Sequence, residues 1–228
     1  VMKSIAIIPA RLGSKRIKHK NIIDFNGKPM IFWTIKAALE SQLFDKVVVS
    51  TDSQKIAQIS KENGAEVPFF REKYNDDYTP ISDVTIHCVN QSEKYWNEKY
   101  DIVTQLMANC PNRNAEEIKK AYNYFIKNNI DFLSSCIPFQ SSNPWWAFSL
   151  KKNNQPEYLF YEKTKKRSQD LQTMYCRSGA IWIARKNKLI AENSFFGLGH
   201  VGYPIRWSSG IDIDDNEDLK IAERISKL

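Results

Sequence analysis

Short β-branched runs alternate with amphipathic helical segments along most of the chain, and this alternation restricts the fold more than any other feature. Residues 5–9 form an apolar run that stops at Pro9 and reads as a buried strand. Residues 29–41 place apolar side chains at helical spacing, with Pro29 in a first-turn position. Residues 46–50 are a β-branched run, followed by Thr51, Asp52 and Ser53 as N-cap candidates for a helix over 53–63 that Gly64 closes. A strand over 66–70, a helix over 80–97, a strand over 102–107, a helix over 114–128 and a strand over 131–137 continue the series. The order predicts an α/β fold, a mostly parallel sheet with helices on both faces. Ligands then bind beyond the carboxyl ends of the strands.

The alternation breaks between about 138 and 178. Pro138, Pro144, the pair Trp145 and Trp146, and short alternating segments near 146–150 and 157–161 predict an inserted β-ribbon or lobe. Residues 178–184 return to the core, and a helix over 215–227 follows the run 211–214. The expectation for residues 1–228 is a single domain carrying one lobe at about 138–178. A hydrophobic fraction of 42% is ample for a core. No run approaches the roughly 20 apolar residues of a membrane span, and the first residues lack a signal-peptide pattern. Cys88, Cys110, Cys136 and Cys176 form no C-x-x-C pair, and His19, His87 and His200 are scattered, so no zinc site is expected. Reduced thiols and a cytoplasmic location are expected, with no membrane partner.

Chemistry concentrates at two places. The loop after Pro9 contains Arg11, Lys15, Arg16, Lys18 and Lys20 and no acid, while Gly13 and Ser14 allow close backbone approach. A loop of this kind at a strand's carboxyl end suits a polyanion such as a nucleoside triphosphate. It lacks the Gly-x4-Gly-Lys-Ser/Thr spacing of a Walker loop. Near the other end of the chain, Asp212 and Asp214 flank Ile213, and on a strand both carboxylates point to one face. Two carboxylates on one face suit Mg²⁺, which completes its shell with water and phosphate oxygens. The alternative for these acids is a helix N-cap, since Asp215, Asn216 and Glu217 follow. The net charge of +7 permits nucleic-acid binding, but its surplus lies in the first twenty residues and around 163–167. The paired aspartates would repel a nucleic acid, so none is expected as partner.

Residues 5–21, 27–30, 48–52, 64–67, 167–171, 178–181 and 211–219, in order along nearly the whole chain, resemble the acylneuraminate cytidylyltransferases. These are the CMP-sialic acid synthetases and their relatives for pseudaminic and legionaminic acids. The resemblance implies a Rossmann-like domain with a small dimerisation lobe. It also implies a reaction in which CTP and a nine-carbon 2-keto sugar acid give a CMP-sugar and pyrophosphate with Mg²⁺. By the same resemblance Arg11, Ser14, Lys15 and Lys20 hold the triphosphate, with Asn21 near the cytidine or the α-phosphate. Arg71 and Ser82 touch the nucleoside; read from the residues alone, they are a strand-end cation and a helix N-cap. Asp212 and Asp214 match the family's metal ligands. Arg11, Lys20 and Asp212 are the catalytic candidates, with Asp212, or a water on the metal it holds, as the base.

For the sugar, Met107 stands where relatives commonly have a glutamine, and Asn109 replaces a threonine, while Pro111 and Arg113 match the family pattern. A thioether cannot mimic an amide's hydrogen bonds, so the acceptor's identity stays open at this point. The stretches 15–17, 67–71 and 167–171 lean toward the pseudaminic branch. Arg167 matches an arginine that reaches a neighbouring subunit's sugar carboxylate, or it is one more cation in the solvated run 163–167. Two rival readings remain: a cytidylyltransferase for an eight-carbon 3-deoxy sugar acid, and a basic nucleotide- or nucleic-acid-binding protein without turnover.

Overall fold

The computed structural model describes residues 2–76, 78–140 and 142–227. Its centre is a six-stranded sheet built from β1 (Ser4–Pro9), β2 (Lys46–Ser50), β3 (Ile102–Gln105), β4 (Phe132–Pro138), β7 (Tyr175–Arg185) and β8 (Val201–Pro204), in the spatial order β8-β4-β7-β3-β1-β2. All neighbours run parallel except β7, which is antiparallel to both β3 and β4. The sheet is therefore mostly parallel, as the alternation predicts.

Period-two alternation explains how the strands are covered on both sides. In β1, Ala6 and Ile8 join one core with α1 (Met30–Ser41), α2 (Gln54–Glu62) and α4 (Ala115–Lys127). Ile5 and Ile7 join the opposite core with α3 (Ile81–Trp96) and α5 (Lys186–Glu192). Ile5, Ile7 and Ile8 are fully buried, and each such side chain contributes about 1.5–3 kcal/mol. A third, smaller core gathers Ile17, Phe25, Met30, Ile213 and Ala222, the last from α6 (Asn216–Ile225). It ties the loop after β1 to the last helix.

Local chemistry sets the ends of these elements. Ser53 caps α2 by accepting from the Ile56 N–H, Asn114 and Glu117 close a capping box on α4, and Asp215 and Asp218 do so on α6. Gly64 follows α2 with φ +88°, where a side chain would be strained.

Three expectations need correction. Residues 66–70 do not form a strand; only Glu66 makes a bridge to Val48, because Pro68 offers no N–H for a ladder. Residues 211–214 are extended but unpaired as a strand. β3 ends at Gln105 rather than at 107. The segment between β4 and β7 leaves the sheet and carries a small hairpin of β5 (Phe148–Leu150) and β6 (Pro156–Tyr158), with Leu150, Leu159 and Tyr161 exposed.

Candidate active site

The basic loop starts at the carboxyl end of β1 and returns on itself. Ile17 is buried and anchors its middle. His19 adopts φ 55°, turning the chain into the short helical turn Lys20–Ile22. The Asn21 amide then donates to the Arg11 carbonyl at 2.9 Å, closing the loop across its neck. At its other edge the Leu12 N–H donates to Asp52 Oδ1 at 3.0 Å. Two cations share one support from the loop before α3: Arg11 Nη1 donates to the Asn75 carbonyl at 3.3 Å and Arg71 Nε to Asn75 Oδ1 at 2.9 Å. Arg71 is almost wholly buried, which lowers its proton affinity against the opposing pull of Asp52.

These residues enclose a cleft of about 280 Å³ lined by Arg11, Ser14, Lys20, Asn21, Arg71, Met107, Asn109 and Asp214. A smaller hollow beside it adds Lys15 and Arg16. A larger cavity of about 510 Å³ lies between Trp33 and the loop containing Pro111. Among the site residues named from sequence, only Arg113 borders it, so the convergent cations and carboxylates, not size, identify the candidate site.

Asp214 is gripped from two sides, by Lys20 Nζ on Oδ1 and Arg16 Nη2 on Oδ2, each at 2.9 Å. Burial alone would raise its proton affinity, but the two cations hold it below the ordinary carboxylate range. Asp212 behaves oppositely. It keeps a solvent-open face, yet the protein packed around it raises its proton affinity, and the charge of Asp214 adds to this. The Cys110 thiol, the Gly179 N–H and Lys20 pull the other way without cancelling the rise. Cys110 itself is fully buried, and burial together with Asp212 pushes its thiol far up.

The aspartates are held by the segment after β3. The Ile213 N–H donates to the Asn109 carbonyl at 2.9 Å, and the Asn109 amide returns a bond to the Ile213 carbonyl at 3.3 Å. The Cys110 thiol donates to Asp212 Oδ1. With Ile213 buried between them, Asp212 and Asp214 are presented by this two-sided clamp rather than by a strand. No three or more His, Cys, Asp or Glu side chains are so placed that they could together hold a metal ion among the described residues. The donor set is thus two carboxylates in electrostatic contact, one raised in proton affinity by burial and by the other. Such a pair fits a hard divalent cation that takes its remaining ligands from phosphate and water.

The structure brings Arg11, Ser14, Lys15, Lys20, Asn21, Arg71, Met107, Asn109 and Asp214 to one place, with Asp212 adjoining. It does not bring in three others. Arg113 is 2% exposed, with Nη1 donating to the Met107 and Ala180 carbonyls, so it supports the loop from the interior instead of facing a ligand. Ser82 is buried in the first turn of α3 and makes no cap bond, while Thr79, Ile81 and Val84 line the cleft around it. Arg167 sits in the exposed lobe and pairs with Asp170 through two hydrogen bonds. Asn109 reaches the cleft, but its amide is committed to Ile213. Sequence reasoning missed Asn75, Asp52 and the Cys110 to Asp212 contact. Only Asp52 had a signal, as a polar residue two positions after the end of a strand.

Comparison with known proteins bears on the family and the fold. The profile of the family described as cytidylyltransferase matches residues 5–206. A pseudaminic acid cytidylyltransferase of Campylobacter jejuni is 38% identical over 229 residues, covering 100% of this chain and 97% of the relative. An N-acylneuraminate cytidylyltransferase of Streptococcus agalactiae is 32% identical over 220 residues, covering 96% of this chain and 52% of the relative. Among solved structures, a CMP:2-keto-3-deoxy-manno-octonic acid synthetase complexed with CTP superposes with a TM-score of 0.71 at 16% identity, over 99% of this chain and 98% of that one.

Proposed function

We propose, on the premise that the chain belongs to the cytidylyltransferase family, that it joins CTP to a nine-carbon 2-keto sugar acid of the pseudaminic type, giving a CMP-sugar and pyrophosphate. The observation that carries this reading is the convergence of Arg11, Lys15, Lys20 and Arg71 with Asp214 and Asp212 at the carboxyl ends of β1 and β3. No acid lies in the loop that would receive the phosphates, and both carboxylates come from the opposite wall.

In this reading Arg11, Ser14, Lys15 and Lys20 receive the triphosphate, and Asn21 and Arg71 the nucleoside side. The C2 hydroxyl oxygen of the sugar acid attacks the α-phosphorus in line, and the bond to the bridging oxygen of the β-phosphate breaks. The charge that builds on the leaving pyrophosphate falls on Arg11 and Lys20, which are already oriented by Asn75 and Asp214. Asp212 is the group proposed to accept the hydroxyl proton. Asp212 and Asp214 would also hold Mg²⁺, which when bound neutralises phosphate charge. Positioning and electrostatics carry the reaction.

The sugar would lie toward Met107, with Arg113 fixing the loop beneath it. The exposed apolar residues of the lobe support a homodimer in which the lobe covers a neighbouring copy. Arg167 would then exchange Asp170 for the sugar carboxylate across that contact. No helix among the described residues is long and apolar enough to cross a membrane. The four free cysteines favour the cytoplasm, and no nucleic-acid partner forms part of the reading. The test is pyrophosphate release with CTP and Mg²⁺ against pseudaminic, legionaminic and N-acetylneuraminic acids and the eight-carbon acid. Release with a nine-carbon acid is expected. Release with the eight-carbon acid alone, or with none, overturns the reading.

A further inference from the structure

We infer that Cys110 is a positioning residue for Asp212, its thiol holding the carboxylate in the orientation that receives the divalent cation. This rests on the proposed CTP- and metal-dependent reaction. Asp212 lies on an unpaired extended segment, where no ladder hydrogen bonds fix the backbone on either side of it. Ile213 is clamped by Asn109, but that clamp acts on main-chain atoms and leaves the Asp212 side chain free to rotate.

The Gly179 N–H, which acts on the Asp212 carboxylate, and one side chain remove that freedom. The Cys110 thiol donates to Asp212 Oδ1 from a fully buried site. On another side, the absent side chain of Gly179 leaves room for the same oxygen, which lies 3.1 Å from where a Cβ would stand. Cys110 is joined to the sheet through the turn its N–H makes with the Met107 carbonyl and the bond from the Met107 N–H to Gly179. The orientation of Asp212 is thereby referred to β7. Partners that orient metal-binding carboxylates typically matter 10- to 100-fold to metal affinity.

The experiment uses Mn²⁺ as probe, titrated into the full-length protein with CTP and without sugar acid, and read by electron paramagnetic resonance. Cys110→Ala is expected to weaken Mn²⁺ binding about 10-fold or more, while CTP affinity measured in EDTA stays within about 2-fold of the parent. Cys110→Ser is expected to return Mn²⁺ affinity to within about 3-fold, because its hydroxyl restores a donor at that position. If the alanine variant fails to fold, Cys110→Val fills the space without a donor and takes its place. Parental Mn²⁺ affinity in the donor-free variant overturns the inference, as does a serine variant no better than alanine. Asp212→Asn separates the two levels. Lost Mn²⁺ binding there with none lost in Cys110→Ala overturns only the role of Cys110. Retained binding in Asp212→Asn overturns the metal assignment itself.

Discussion

Replacing Gly179 with alanine should impair the site while leaving the fold standing. The new Cβ would lie 2.9 Å from Met107 Cγ, 3.4 Å from Met107 Cβ and 3.1 Å from Asp212 Oδ1. Carbon contacts settle at about 3.5–4.0 Å, so Met107 must retreat by about 0.5–1 Å and Asp212 Oδ1 by a few tenths of an ångström. Overpacking of this kind costs about 1–3 kcal/mol, which for a chain of this size lowers Tm by about 2–10 °C. The displacement also moves the carboxylate meant to act at the reacting centre. A shift near 1 Å costs on the order of 100-fold, so the smaller displacement of Asp212 should lower kcat/KM for pyrophosphate release by about 10-fold. Gly202→Ala is the control, since its Cβ would meet only Cys136 Sγ at an ordinary 3.6 Å on the edge strand. A Gly179→Ala enzyme with parental kcat/KM and a lowered Tm would show that Asp212 and Met107 do not act where they stand.

Lys20→Ala removes one of the two cations on Asp214 and one proposed phosphate contact. It should lower kcat/KM for CTP about 10- to 100-fold, the weight of a charge-assisted bond, and unchanged CTP kinetics would refute the phosphate-loop assignment. Glu93 is buried, accepts from the Tyr100 N–H and pairs with Lys186 and Lys99. Glu93→Ala should therefore cost about 3 kcal/mol in thermal or urea unfolding. Burial pushes the Glu93 carboxyl up, but the bonds from Lys186, Lys99 and Tyr100 outweigh it and leave it below its ordinary value. A folded value below the unfolded one stabilises at neutral pH, and this contribution should fade as pH falls through the acid range below 4.5. An acid-unfolding curve of the same shape for Glu93→Gln and the parent would contradict that. Leu159 is 68% exposed on the lobe, and Leu159→Asp should convert a dimer to a monomer in light scattering. A parent that is already monomeric removes the proposed subunit crossing.

The elements legible in the sequence are those whose local signals agree with their tertiary place. β1 and β2 are β-branched runs buried on both faces, and α2 and α4 begin at Ser53 and Asn114, which do cap them. The antiparallel course of β7 left no mark, since a strand buried on both faces reads the same in either direction. β8 was invisible because it is a short edge strand, interrupted by Gly202 and alternately half-buried and exposed. The basic loop was legible as charge, whereas its closure by Asn21, Asn75 and Asp52 depends on residues brought from 10 to 64 positions away. The resemblance placed Arg113 and Asn109 at the sugar. Both are buried, with Arg113 donating to the Ala180 carbonyl and the Asn109 amide to that of Ile213.

The central claim is that this cleft transfers a cytidylyl group to a sugar acid. The most direct measurement is a ³¹P NMR time course of the protein with CTP, Mg²⁺ and pseudaminic acid. The account predicts loss of the three CTP resonances with matched growth of one phosphodiester and one pyrophosphate signal. CTP that stays intact, or breaks down to CDP and phosphate at the same rate with and without the sugar, contradicts it.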